Sequence, residues 1–331
     1  MTRRWRWSLA IGPAAVAAGI VAVAVVGAGY LAYEQLSPVK RSCENPAFAG
    51  QTPADFTAAN DDGRLVVDAA PYRFGDFEEV AFPSRGGGPT IRGWFAPPVA
   101  EDGPVVIAVH GRGSCRRSPG VLLPAGMLHR AGFGVLVIDL RNHGDSDVDN
   151  GRWAGGGKEY RDPLGAWDWL VAQGYRPERI GIFGSSLGAA TIMIAMGEEP
   201  RLAAAWADSS YADFAQASSE YAIRKGYPGW VATTAIPIGR LIGDPELGWI
   251  DPDEAARRLA GRPLFIAQGL ADTTVLAHHA VDLAAAAFAG GTSVQPWIVP
   301  GAEHTEEIFL VPDEYERRLV EYFTTSVGDP G

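Results

Sequence analysis

Six short apolar runs, each bounded by glycine, proline or aspartate, restrict the fold of this chain more than any other feature. They cover residues 105–109, 134–138, 180–183, 202–207, 264–267 and 294–299. Too short for helices and apolar on both alternating faces, such runs suit strands covered on both sides, as in a parallel sheet. Residues 120–130, 163–173, 187–196, 277–288 and 305–323 have helical patterning and fall between and after them. This alternation predicts an α/β fold, a mostly parallel central sheet with helices on both faces and right-handed crossovers. Residues 79–82 and 90–96 add two antiparallel strands around Gly86-Gly87-Gly88.

Residues 209–260 break the rhythm. They hold no strand pattern but many aromatic and aliphatic side chains, among them Tyr211, Phe214, Tyr221, Trp230 and Trp249. A helical cap inserted over the sheet is expected there; packing against the sheet edge is the plainer alternative.

The N-terminus has a different character. Arg3, Arg4 and Arg6 precede an uncharged stretch over residues 7–33. Counted only from beyond Pro13, residues 14–32 would rise about 29 Å as a helix, close to the ~30 Å hydrocarbon core of a bilayer. An uncleaved signal anchor is expected, with a removed signal peptide as the alternative. The basic flank orients the N-terminus to the cytoplasm and the following domain outside. The expected organisation is therefore a transmembrane segment over 1–36, a stalk and entry segment over 37–70 with a short helix near 53–60, and the α/β domain over 71–325.

A formal net charge of -11 excludes a general nucleic-acid binder, which needs a basic face. The two cysteines, Cys43 and Cys115, form no CxxC pair and no zinc pattern. Two unpaired thiols are expected, or a disulfide if the domain lies outside the cytoplasm. No nucleotide fingerprint stands in a convincing context, so no cofactor is expected.

The sharpest local signal is Gly184-Ser185-Ser186-Leu187-Gly188, which closes an apolar strand and opens a helical run. That is the context of a nucleophile elbow, where a strained turn presents the serine at a helix N-terminus. A serine hydroxyl needs a base, and the base needs an orienting acid. Asp272 and His304 follow in that order, each just beyond a predicted strand, where the crevice of an open α/β sheet forms. Asp208 also ends a strand and is the rival to Asp272. Among six histidines, His129, His278 and His279 fall on predicted helices, while His110 and His143 belong to loop motifs. The oxyanion hole requires two backbone N–H groups. Leu187, directly after the nucleophile, and Arg112, in the loop His110-Gly111-Arg112-Gly113-Ser114, are the candidates, with Gly113 close behind. The Arg112 side chain itself is expected to be solvated.

With these residues together, the chain resembles the α/β-hydrolase superfamily, and within it the serine-aminopeptidase-like single-domain hydrolases. The matching pieces are His110-Gly111, the segment Asp139-Leu140-Arg141-Asn142-His143-Gly144-Asp145-Ser146, the elbow, Gly269 to Asp272, and His304. The resemblance implies an α/β-hydrolase fold and a structural role for His143. Glu303 stands where such families often carry glycine, and is expected to face solvent. The expected function is hydrolysis of a carboxylic ester or thioester by a membrane-anchored enzyme. Peptide hydrolysis is second, and a non-catalytic membrane-tethered binding protein is the alternative of another class.

Overall fold

The computed structural model describes residues 13–39, 48, 50–60 and 62–331. Eight strands form the central sheet, in the order β10-β9-β8-β7-β5-β6-β4-β3. Its parallel part comprises β5 (Val105–Val109), β6 (Gly134–Ile138), β7 (Ile180–Ser185), β8 (Ala204–Asp208), β9 (Leu264–Gly269) and β10 (Trp297–Val299). The hairpin of β3 (Glu78–Pro83) and β4 (Thr90–Ala96) adds antiparallel to β6. Gly86, Gly87 and Gly88 all take positive φ in its turn, where a side chain would be strained.

Both faces of the sheet are covered, which is why the central strands lack polar alternation. On one face Ile107, Val109 and Ile182 pack with Trp167 of α3 (Arg161–Ala172), Met193 of α4 (Leu187–Glu198) and Leu283 of α8 (His278–Ala289). On the other, Val106, Ala108 and Phe183 meet Leu122 of α2 (Pro119–Arg130) and Phe323 of α10 (Pro312–Val327). The predicted helix over 305–323 is two helices, α9 (Glu307–Leu310) and α10, parted at Pro312, which opens the second. The last strand is shorter than expected, because Pro296 has no N–H to give a ladder.

The segment expected as a stalk is folded onto the body over much of its length. In place of a helix near 53–60 there are turns and a small antiparallel pair, β1 (Ala58–Ala59) with β2 (Val66–Val67). Phe56, Ala58 and Tyr72 are buried in the same cluster as Leu122, and that burial fixes the segment against α2. Cys115 is buried and disulfide-bonded, contrary to the expectation of a free thiol; Cys43 lies outside the described residues. So do Arg3, Arg4 and Arg6.

The cap comprises α5 (Phe214–Arg224) and α6 (Gly229–Ile242), with α7 (Pro252–Ala256) leading back towards the sheet. Against α6 lies the long apolar helix α1 (Pro13–Leu36), which is of membrane-crossing length. A side chain at Gly29 would strike Thr234 and Ile238, so the two helices approach closely there. Tyr33 is buried against Gly239, and Glu34 pairs with Arg152 at 2.9 Å.

A buried ion pair braces the loop after β6. The Arg141 Nη2 to Asp162 Oδ1 distance is 2.6 Å, and both side chains are almost wholly buried. Removing one partner strands the other's charge, so Asp162→Ala is expected to cost about 3–5 kcal/mol in denaturant unfolding. A loss under ~1 kcal/mol would contradict that account.

Candidate active site

β7 ends in a turn that puts Ser186 at φ 55° and ψ -121°, directly before α4. A non-glycine residue held there stores about 1–3 kcal/mol of strain. Surrounding contacts enforce it. The Ser186 N–H donates to Asp208 O at 2.8 Å, tying the turn to the end of β8. A Cβ on Gly184 would lie 2.5 Å from Gly188 O, and one on Gly188 would lie 2.5 Å from Val109 O. Any side chain at either glycine collides with backbone, so the motif's small residues are a packing requirement.

The three residues expected to act together meet at the carboxyl ends of the strands. His304 Nε2 is 2.8 Å from Ser186 Oγ, and His304 Nδ1 is 2.7 Å from Asp272 Oδ2. Asp272 is buried and ringed by donors: Gln268 Nε2 on Oδ2 at 2.9 Å, and the Thr274 and Val275 N–H groups on Oδ1 at 2.7 and 2.9 Å. Every one of these partners is a donor, so both oxygens of Asp272 act as acceptors.

Asp208 points elsewhere. Tyr315 donates its O–H to Asp208 Oδ2 at 2.6 Å and Ser209 donates to Oδ1 at 2.9 Å. Burial pushes its pKa up to about 6, and burial together with Asp208 holds Glu307 well above the usual carboxylate range. Ser209 Oγ also accepts the Thr305 N–H at 3.2 Å, next to the base. This buried group of Asp208, Ser209, Glu307 and Tyr315 buttresses the His304 loop. Ser209 and Thr305 both take positive φ. Sequence reading found Asp208 only as a rival acid and missed Glu307 and Tyr315, which nothing local distinguishes from ordinary helix residues.

The other histidines have structural partners. Burial lowers His110 to about 4 and, with the neighbouring His110, His143 to about 3. His110 Nδ1–H donates to Gly111 O at 2.7 Å while Nε2 accepts the Leu140 N–H at 3.1 Å. His143 Nδ1–H donates to Arg141 O at 2.8 Å. Both imidazoles are neutral when folded, so protons favour the unfolded chain below its ordinary value of 6.5. Their stability contribution is whole above 6.5 and is lost as the pH falls from there towards 4 and 3. Urea midpoints of the parent and His143→Asn should diverge at neutral pH and converge towards pH ~4; parallel curves would refute it.

Among the described residues one grouping has metal-ligand spacing: Glu220, His278 and His279, whose ligand atoms lie within 4.8 Å of one another. His279 Nδ1 accepts the Ala212 N–H at 3.3 Å, so its proton sits on Nε2, which lies 3.2 Å from Glu220 Oε2. With His278 Nε2 3.0 Å from Glu220 Oε1, the three act as a polar clasp between α5 and α8.

A cavity of about 600 Å³ opens beside Ser186 and His304. Leu36, Trp153, Phe214, Tyr221 and Ala232 give it an apolar side; Asn60, Asp62, Glu303 and Glu306 line another part. Glu303 is exposed, as expected, and lies 3.7 Å from Arg64. Arg112 and Leu187 both border the cavity. Arg112 is exposed, as expected, and its guanidinium lies over the Trp153 ring, 4.6 Å from the centroid. The partner ring comes from a loop some forty residues on, beyond the reach of local pattern.

The fold is that of the α/β-hydrolase class, with a serine, a histidine and an aspartate hydrogen-bonded to one another at the strand ends. Residues 124–325 match the prolyl oligopeptidase family, and the chain belongs to that family. Solved structures share the fold. An esterase of Pyrococcus furiosus is 22% identical, with a TM-score of 0.62 over 79% of this chain and 94% of its own. A puromycin-hydrolyzing peptidase of Mycobacterium tuberculosis is 20% identical, with a TM-score of 0.62 over 78% of this chain and 40% of its own. An acylaminoacyl peptidase of Pyrococcus horikoshii is 18% identical, with a TM-score of 0.58 over 77% of this chain and 42% of its own. Two curated Escherichia coli proteins, each described as an uncharacterized 31.7 kDa protein of the traX-finO intergenic region, are 30% identical over 113 residues. That alignment covers 33% of this chain and 38% of each relative.

Proposed function

We propose that the chain is a membrane-anchored serine hydrolase that cleaves carboxylic esters through Ser186, His304 and Asp272. The observation that carries this reading is the unbroken relay from Ser186 Oγ through His304 to Asp272, at 2.8 and 2.7 Å. A protein that only binds has no need of a strained serine within reach of an oriented base.

In the proposed reaction His304 Nε2 takes the Ser186 proton as Oγ attacks the acyl carbon. Asp272 keeps the other imidazole proton on Nδ1 and stabilises the imidazolium. The N–H groups of Leu187 and Arg112 receive the oxyanion. His304 then protonates the leaving alcohol, leaving an acyl-enzyme. Water, deprotonated by the same nitrogen, releases the acid and restores Ser186. None of these steps calls on a metal or cofactor.

Ester hydrolysis is favoured by the apolar side of the cavity, where Leu36, Trp153, Phe214 and Tyr221 suit an acyl chain rather than a polar peptide. Amide hydrolysis is the second reading, supported by the family's peptidase membership and by the carboxylates of Asp62, Glu303 and Glu306 at the cavity. Turnover of p-nitrophenyl esters of rising acyl length, beside aminoacyl p-nitroanilides, separates the two. Serine-dependent ester turnover supports the first; anilide turnover alone would replace it with the second.

The anchor is proposed to be α1, retained rather than cleaved. Its packing against α6 at Gly29 and Tyr33 supports retention, because loss of α1 would uncover Gly239 and one wall of the cavity. The basic residues before the span favour a cytoplasmic N-terminus, and the disulfide at Cys115 suits a domain outside the cytoplasm.

A further inference from the structure

A surface helix of a water-soluble domain carries a polar stripe opposite its buried one. α10 obeys this: Tyr315, Leu319 and Phe323 are buried, and Asp313, Glu314, Arg317 and Glu321 are exposed. α6 does not. Its buried stripe is Ala232, Ala235, Ile236 and Gly239, yet its exposed stripe is Trp230, Thr233, Pro237 and Leu241, without a charge. Trp230 is 46% exposed and Leu241 85%.

What covers that stripe follows from where α1 runs. Gly29 of α1 meets Thr234 and Ile238, and Tyr33 meets Gly239 and Gly243, so both helices ascend in the same direction. The start of α6 and the turn before it therefore lie beside the part of α1 upstream of Gly29. Residues 13–24 of α1 are wholly exposed, uncharged and continuous with the apolar span. The cap tip thus sits on the side from which the span departs. Its exposed residues include Ile223 and Tyr227, 59% and 63% accessible, next to Trp230. Aromatic rings of this kind belong at a bilayer boundary. The charges at the tip are compatible with that place. Arg224 donates to the carbonyls of Thr273 and Thr274, and the exposed Lys225 has a long stem that lets its ammonium reach lipid headgroups.

The cavity extends to the same tip. Its lining runs from Ser186 past Phe214 and Tyr221 to Ala222 and Ala232, two residues from Trp230, and includes Leu36 at the end of α1. We propose that the α5–α6 cap is seated in the lipid boundary alongside α1, and that the substrate is the acyl ester of a membrane-resident amphiphile which enters the cavity from the bilayer. This rests on the anchored-hydrolase reading and adds to it where the substrate comes from.

The test uses the full chain in phosphatidylcholine vesicles. The triple variant Tyr227→Ser, Trp230→Ser, Leu241→Ser changes exposed residues that do not line the cavity. Turnover of water-soluble p-nitrophenyl butyrate should stay within about twofold, while that of p-nitrophenyl palmitate dissolved in the vesicles should fall about tenfold or more, since interfacial binding scales with buried apolar area. Equal effects on both esters, or no effect on either, would overturn the proposal, as would a parent active on butyrate and inactive on the vesicle ester. A second readout needs no activity: quenching by brominated phosphatidylcholine, compared between the parent and Trp230→Phe. A smaller quenched fraction in Trp230→Phe supports the seating even if neither ester is cleaved, an outcome that would sink the hydrolase reading alone. Identical quenching would overturn the seating and indicate a protein partner on the α6 stripe.

Discussion

Ser186→Ala is expected to lower ester turnover by about 10⁴–10⁶-fold while leaving the fold and the thermal transition essentially unchanged. The size of the loss follows from what Oγ does. It is the group 2.8 Å from His304 Nε2, and no other hydroxyl is known to share that contact among the described residues. Without it the proposed oxyanion hole of the Leu187 and Arg112 amides would still polarise a carbonyl, so a residual rate on the order of 10³–10⁴-fold over water is expected to persist. Stability should hold, or rise slightly, because alanine at φ 55° carries the same backbone strain while the buried contacts of the elbow are made by glycines and main chain. Steady-state hydrolysis of p-nitrophenyl butyrate, with a melting curve on the same preparations, measures both.

The second large effect separates two aspartates that end neighbouring strands. Asp272→Asn is expected to reduce turnover about 10⁴-fold. Its Oδ2 receives the His304 Nδ1 proton, and all its other partners are donors, so an amide must turn an NH₂ towards a donor somewhere. Facing His304, that NH₂ forces the imidazole proton onto Nε2, where it blocks uptake of the Ser186 proton. Asp208→Asn should cost about 10²-fold at most, because Asp208 does not touch the base: it reaches His304 through the packing of Ser209 against Thr305 and through its charge at a distance. Paired kinetics on the two variants decide the assignment. A loss in Asp208→Asn equal to that in Asp272→Asn would mean that the buttress, not the 2.7 Å contact, sets the base.

These two residues also mark the limit of what the sequence could reveal. The strands, the elbow and His304 were legible because each is a local signal: an apolar run, a glycine-flanked serine, a histidine after a strand. Asp208 and Asp272 carry the same local signal, and what separates them is Tyr315, more than a hundred residues from Asp208. The stacking of Arg112 was hidden for a similar reason, since its loop gives no hint that Trp153 lies beneath the guanidinium. Residues 37–70 read as a stalk because Phe56, and Tyr72 just beyond the segment, bury themselves against α2 without any periodicity of their own. α1 was readable as an apolar helix of membrane-crossing length, yet its fit to the cap depends on Gly29 meeting Thr234, and no pattern within either helix announces the other. Non-local packing, not local propensity, set each of these features.

The central claim is that Ser186 is the nucleophile, and covalent capture tests it most directly. The full chain would be treated with a fluorophosphonate and the adduct located by peptide mapping. One equivalent on Ser186, abolished in Ser186→Ala and slowed about 10³-fold or more in His304→Ala, is the predicted result. Labelling at another residue, or no labelling of folded protein, would contradict it.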